Sequence, residues 1–298
     1  MVGGKILLLR KPSLFTIVNG SLLILICMLV LYPLLFILGA SISDAGAVLS
    51  GEMWLWPIDV SFVGYEKVFG NSDLLTGYGN TILYTIVGTA INLIMTIMAA
   101  YPLSQPKFYG RNLIMAIIVF TMFFSGGLIP TYMVVRDLGL TNTMWALIIP
   151  NVVSVYNILI MRTYFQSSIP GEILEAASID GSSDIRTLLR IVMPLSMPIM
   201  AVMLLFYAVG HWNSYFSALI YLTDRSLYPL QIFIREILIQ GQMEEMVNAA
   251  DSSHAQTIMD EEAVKYALIV VTNLPIFLLY PFLQKYFVKG VMIGALKG

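Results

Sequence analysis

The segment Ile169–Pro198 reads IPGEILEAASIDGSSDIRTLLRIVMPLSMP, a polar gap between two long apolar runs, and its reading decides how the rest of the chain is disposed. Glu172, Glu175, Asp180, Asp184, Arg186 and Arg190 crowd into it, and so many charges do not cross hydrocarbon. Pro170 suits the first position of a helix, where its missing N–H costs nothing, and Glu172 then falls in the first turn, where negative charge is favoured. Gly181, directly after Asp180, is a left-handed stop. The expected helix has about three turns, ~16 Å at 1.5 Å per residue. Glu172, Glu175, Ala176 and Ile179 group on one side of it, and Ile173, Leu174 and Ala177 on the other. Ser182 or Ser183 caps a second short helix running through Ile185, Leu188 and Leu189 into the next apolar run.

Working outward, 58% of the 298 residues are hydrophobic and only 11% charged, against about 25% charged in a soluble domain. The chain is therefore expected to be an all-α, polytopic membrane protein. A net charge of −2 and the lack of a basic run argue against nucleic acid. Cys27 is the single cysteine, and His211 and His254 are the only histidines, so neither a disulfide framework nor a metal site is indicated.

Six runs are long enough for ~30 Å of hydrocarbon: residues 14–40, 78–101, 112–134, 144–164, 195–222 and 264–286. The first is too long for a signal-peptide core and reads as an uncleaved span after a short segment, residues 1–13, that carries Lys5, Arg10 and Lys11. With a cytoplasmic N-terminus, eleven of the sixteen Lys and Arg residues fall inside, and the positive-inside rule places both termini in the cytoplasm. Fourteen of the eighteen acidic residues then lie outside. The segment at 165–194 faces the cytoplasm. No linker or repeat divides residues 14–298, which read as one transmembrane domain.

Glu175-Ala176-Ala177, Asp180-Gly181, Ile191 and Pro194, at their offsets, resemble the EAA loop of permease subunits of binding-protein-dependent ABC importers. Three positions depart conservatively from the usual pattern: Ser182 for Ala, Leu188 for Phe and Met193 for Leu. The resemblance implies six transmembrane helices of the type I importer kind and location in the bacterial cytoplasmic (inner) membrane. It also implies a coupling helix that docks on a cytoplasmic ATPase through Glu172, Glu175, Ala176, Ala177, Asp180 and Gly181. The implied partners are a second homologous permease, two ATPase subunits that bind ATP and Mg, and an extracytoplasmic solute-binding protein. The ending QKYFVKGVMIGALKG resembles the sugar branch of these permeases, where the tail, here Val291–Gly298, reaches toward the ATPase interface. Carbohydrate, and oligosaccharide within it, is the substrate this implies.

Independent features agree. Gly77-Tyr78-Gly79 lacks the Gly-Lys-Ser/Thr of a phosphate loop, so ATP is expected to be hydrolysed elsewhere and this chain to be non-catalytic and free of cofactors. Polar residues in the spans are neutral: Asn80, Thr81, Thr85, Thr89, Asn92 and Thr96 in the second; Ser125 in the third; Asn151, Ser154, Tyr156 and Asn157 in the fourth; Asn273 in the sixth. An ion-coupled carrier buries charged groups at membrane depth. His211-Trp212-Asn213-Ser214-Tyr215 is the richest polar and aromatic patch, and Trp212, Asn213 and Tyr215 are candidates for the path of a polyhydroxylated solute. The competing reading makes Trp212 and Tyr215 interfacial anchors and Asn213 a packing group. Trp54, Trp56, Phe62 and Tyr65 suit a headgroup-level segment or a binding-protein contact. The segment 223–263 is expected to carry a surface helix at 230–239. A permease for amino acids or phosphate, sharing the loop, and a secondary carrier remain as alternatives.

Overall fold

In the computed structural model, Ser13 Oγ accepts a hydrogen bond from the Thr16 N–H and opens helix α1, Leu14–Ala40, with the bounds expected from hydropathy. The structure describes residues 13–248 and 255–295. The expected roles of Lys5, Arg10, Lys11, His254 and Lys297, and the end of the C-terminal tail, lie outside the described residues.

After α1 come α2 (Ala45–Leu49), α3 (Val63–Gly70), α4 (Ser72–Ser104), α5 (Arg111–Phe123), α6 (Leu128–Asp137), α7 (Trp145–Ile148, continued by a 3-10 turn at Ile149–Asn151) and α8 (Val155–Ser168). Then follow α9 (Gly171–Ile179), α10 (Asp184–Thr187), α11 (Met193–Leu195), α12 (Met197–Trp212), α13 (Phe216–Tyr221), α14 (Leu230–Asn248) and α15 (Ala255–Ala295). Three helices are long and apolar enough to cross a membrane, and six spans result if each of three bent pairs is one span. The six expected runs are thus all present, but three are broken. The pair α5/α6 bends by 112°, the pair α7/α8 by 54°, and the junction into α12 by 85°. Ser125-Gly126-Gly127 interrupts the first, since consecutive glycines are poor helix formers.

Two compact units are formed, Met1–Val68 with Gln240–Val270 and Phe69–Ile239 with Val271–Gly298, and their boundaries fall inside helices rather than at linkers. In the first unit Ala40, Val48 and Met53 are buried, with Phe36, Ile58 and Tyr266 packed on them, and Phe36 meets Tyr266 edge-on at 6.0 Å. Lys67 pairs with Asp260. Apart from Gly39 and Ala40, α1 has no buried residue, an apolar helix offered to lipid or to another chain.

The second unit is centred on α4. Its start lies at Ser72, before the expected Tyr78, because Asn71 Oδ1 accepts from the N–H groups of Asp73 and Leu74 and caps it. The main core joins Ile97, Ala100 and Tyr101 of α4, Met161 and Phe165 of α8, and Met203 and Tyr207 of α12. At the far end of α4, Arg162 Nε donates to the Leu103 carbonyl at 2.9 Å, placing a cation on the last carbonyls of the helix. The expected surface helix at 230–239 is instead a longer one. Its first residues, Leu230, Ile232 and Phe233, are buried, because Leu230 N–H is tied to Thr81 Oγ1 of α4 at 2.8 Å.

Candidate functional site: a coupling segment beneath a polar wall

Helix α8 ends at Ser168 and α9 begins only three residues later. Ile169 bridges them in extended conformation, φ −103° and ψ 115°, as a residue before proline prefers. Pro170 caps α9 from just outside rather than serving as its first helical residue. The helix therefore has nine residues, about 13 Å and shorter than the three turns expected. It ends in a Schellman arrangement: Ser182 N–H donates to the Ala177 carbonyl at 2.9 Å and Gly181 N–H to Ser178 at 3.1 Å. Gly181 has φ +72°, and a Cβ there would meet no atom within 4 Å, so backbone conformation rather than space requires glycine.

The two faces separate much as the spacing implied. Leu174 packs on the core of α4, α8 and α12, and Ala177 is 6% exposed. Glu172, Glu175, Ala176, Asp180 and Ile179 face out, Ile179 86% exposed. Ile173, placed with the inner group by spacing, is on the rim at 39% exposed. Ala176 and Ala177 therefore do different things, one outside and one packed inside. The carboxylates of Glu172, Glu175 and Asp180 have no hydrogen-bond or ion-pair partner among the described residues.

Ser183 caps α10, its Oγ accepting from Arg186 N–H, and Ser182 Oγ accepts from Thr187 Oγ1 at 3.0 Å. Residues Leu188–Val192 then form a π-helical turn, with Met193 N–H reaching the Leu188 carbonyl. The wider turn precedes Pro194, whose ring clashes with the preceding carbonyl in a regular helix. Val192 is fully buried in the core, and so is Ser196, where the chain swings into α12. Leu174 of α9, Leu188 and Met193 all lie against the one cluster that α12 shares with α4 and α8.

Higher along α12, His211 Nε2 lies 3.0 Å from Asn92 Oδ1, while Asn92 Nδ2 donates to the Asn151 carbonyl at 2.9 Å. Because Asn92 presents its oxygen, the imidazole donates from Nε2, which leaves Nδ1 to accept. Tyr207 hydroxyl meets Thr96 Oγ1 at 2.6 Å and accepts from Ser154 N–H. A cavity of about 240 Å³ is lined by the polar residues Asn92, Asn151, Tyr207, His211 and Ser214 together with Leu147, Phe206 and Gly210. A second, of about 340 Å³, is lined by Ser125, Thr131, Asn151 and Ser217 together with Gly127, Leu128, Phe216, Ile220 and Tyr221.

Of the expected path residues, Trp212 turns away. It is 6% exposed, its indole N–H donates to the Thr272 carbonyl at 3.1 Å, and it stacks edge-on with Tyr78. Asn213 bonds back to the Val209 carbonyl, accepts from Gln231, and is exposed at the break before α13. Tyr215 carries Arg235 over its ring at 5.0 Å. None of the three lines either cavity; His211 and Ser214, their neighbours, line the first. Asn92 and Asn151 are functional candidates that the sequence did not single out. The available signal was Thr85, Thr89, Asn92 and Thr96, polar groups at alternating steps of four and three on one helix face.

The pattern of a binding-protein-dependent transport system inner membrane component matches residues 92–293, from the α4 wall to the last helix. The chain belongs to that family. It is 40% identical over 266 residues to Protein LplC of Bacillus subtilis, covering 89% of each chain. It is 36% identical to the polygalacturonan/rhamnogalacturonan transport system permease protein YtcP of the same organism, covering 97% of this chain and 100% of that one. The crystal structure of a bacterial ABC transporter involved in the import of the acidic polysaccharide alginate superposes with a TM-score of 0.83 at 35% identity, over 93% of this chain and 98% of that one. The family is one of membrane subunits, in keeping with the apolar helices.

Proposed function

We propose that this chain is a permease subunit of an ATP-driven ABC importer for carbohydrate, oligosaccharide in particular, and that α9 is its coupling helix. The observation carrying the mechanism is the outer face of α9, where three carboxylates without partners among the described residues surround exposed Ile179, while the inner face is packed on the core joining α4, α8 and α12. Unpaired acids beside an apolar side chain suit a protein partner with basic and apolar groups in a groove. In this reading two cytoplasmic ATPase subunits bind ATP and Mg, and this chain itself is non-catalytic. Both termini face the cytoplasm, a second homologous permease completes the pathway, and an extracytoplasmic binding protein delivers solute, with Trp54 and Trp56 in the outer segment available to lipid headgroups or to that protein.

Closure of the ATPase pair pushes α9. The push passes through Leu174, Leu188 and Met193 to the α11/α12 bend, and α12 rocks to open the polar wall outward. Carbohydrate as cargo is supported by relatives named for polygalacturonan/rhamnogalacturonan, melibiose/raffinose/stachyose and arabinooligosaccharides, and by the alginate importer. A neutral wall of amide, hydroxyl and imidazole groups is consistent with it. The secondary-carrier alternative is disfavoured by the lack of a charged residue in either cavity lining.

The test is reconstitution in proteoliposomes with the binding protein, the second permease and the ATPase subunits. Oligosaccharide uptake is expected only with all components and ATP. Accumulation by this chain alone under an ion gradient would refute the proposal.

A further inference from the structure

Three helix breaks converge on one place in the second unit. Asn151, the last residue before the break at 152–154 that precedes α8, lines both cavities; Ser214, from the break between α12 and α13, lines the first, and Ser125 and Gly127, from the break between α5 and α6, line the second. Broken helices at membrane depth are tolerated where their backbone lines a polar cavity. Asn151 is held by its main chain, since its carbonyl accepts from Asn92, while its side-chain amide has no partner among the described residues. Ser214 and Ser217 hydroxyls are likewise without a partner there, and His211 has Nδ1 to offer once Nε2 is engaged. Groups of this kind are costly beside lipid and are stabilised by a hydrogen-bonding solute or water.

We infer that Asn151 is the centre of a hydroxyl-binding subsite in this subunit, with His211 and Ser214 on one side and Ser125 and Ser217 on the other, which contacts the cargo as it passes. An amide and a hydroxyl each donate and accept, which matches the alternating demands of a vicinal diol. No Lys, Arg, Asp or Glu lines either cavity, so the subsite recognises sugar hydroxyls and not the carboxylates of an acidic sugar. This inference rests on the carbohydrate reading above.

The chain has one cysteine, Cys27, so a Cys27→Ser variant of this chain is cysteine-free. Modification is read by mass spectrometry on this chain alone, with the Cys27→Ser complex treated identically as the blank for reaction at other subunits. In this variant, Asn151→Cys and Ser214→Cys are tested in the fully assembled importer with a charged, water-soluble methanethiosulfonate reagent, with Met203→Cys, a fully buried position, as the unreactive control. The probes are neutral arabino-oligosaccharides and acidic oligogalacturonides. Both new thiols are expected to react, reaction is expected to slow about fivefold during ATP-driven transport, and modification is expected to cut uptake by about tenfold, equally for neutral and acidic probes. Failure to react, reaction that a transported probe does not slow, or loss confined to acidic probes overturns the subsite. If the Cys27→Ser complex hydrolyses ATP but moves no oligosaccharide, the carbohydrate reading fails instead, and the subsite with it.

Discussion

The acidic groups of α9 and those gathered around the loop after α13, Asp73 of α4, Asp224 and Glu236 of α14, carry the same charge and stand in opposite surroundings. Around Arg225, carboxylates are consumed within the chain: Nε donates to Asp73 at 2.7 Å, Nη1 donates to Glu236 Oε1 at 3.3 Å and forms an ion pair with its Oε2 at 3.0 Å, and the guanidinium lies over Phe233. Asp224 accepts from the N–H and hydroxyl of Ser226, and Asn142 accepts from the N–H groups of Thr223 and Asp224. On α9 the carboxylates have no such partner among the described residues. Charges paired internally hold a loop in shape, whereas the α9 charges stand exposed beside Ile179, the surface assigned above to the proposed ATPase contact. If the proposed coupling role of α9 holds, the contrast separates residues whose loss costs stability from residues whose loss costs transport.

The largest effect is expected at the inner face of α9. Ala177→Asp places a carboxylate in a packed site 6% exposed, at a cost of about 3 kcal/mol or more. Uptake should vanish, and the melting temperature of the detergent-purified complex should fall. An unchanged melting temperature would show that α9 does not lean on the core. Next is Glu172→Lys with Glu175→Lys on the outer face. Uptake should drop about tenfold, equivalent to ~1.4 kcal/mol, with the melting temperature of the isolated subunit unchanged; wild-type uptake would remove these acids from the docking surface.

Arg225→Ala should reverse that pattern. The pairs are about half exposed, so about 0.5–1 kcal/mol of stability is lost while uptake stays near wild type. A large uptake defect would mean that this loop, too, meets a partner. The smallest effect concerns acid. Asp224 is held below the usual carboxylate range by the Ser226 hydroxyl, then by the Ser226 N–H. Its stabilisation is therefore present above the unfolded carboxylate pKa and lost as pH falls through the lower folded value, below about pH 4. In melting curves taken downward from pH 6, Asp224→Asn should shrink that acid limb slightly. An identical limb would show that Ser226 does not favour the ionised form.

Much of the α9 region was legible because its determinants are local. Proline at the start, acid in the first turn, and glycine after Asp180 each act within a few residues, and the observed Schellman bonds are of that range. Ala176 and Ala177 were grouped on opposite sides by spacing alone, and burial agrees. Span 14–40 was equally plain from hydropathy. The spans holding Ser125, Asn151 and Asn213 read as continuous because apolar length is insensitive to a break of a few residues. Trp212 was misleading for another reason: its partner, the Thr272 carbonyl, is 60 residues away.

By itself the sequence determined that the chain is apolar, all-α and membrane-spanning, with one acidic alanine-bearing helix in a polar gap between apolar runs, since composition, period and capping act along the chain. Only the tertiary structure decided where the spans break, that Trp212 turns into the packing while Asn151 opens between two cavities, and which acids are already paired. Those outcomes depend on groups brought together from distant positions, and neither period nor propensity carries that information.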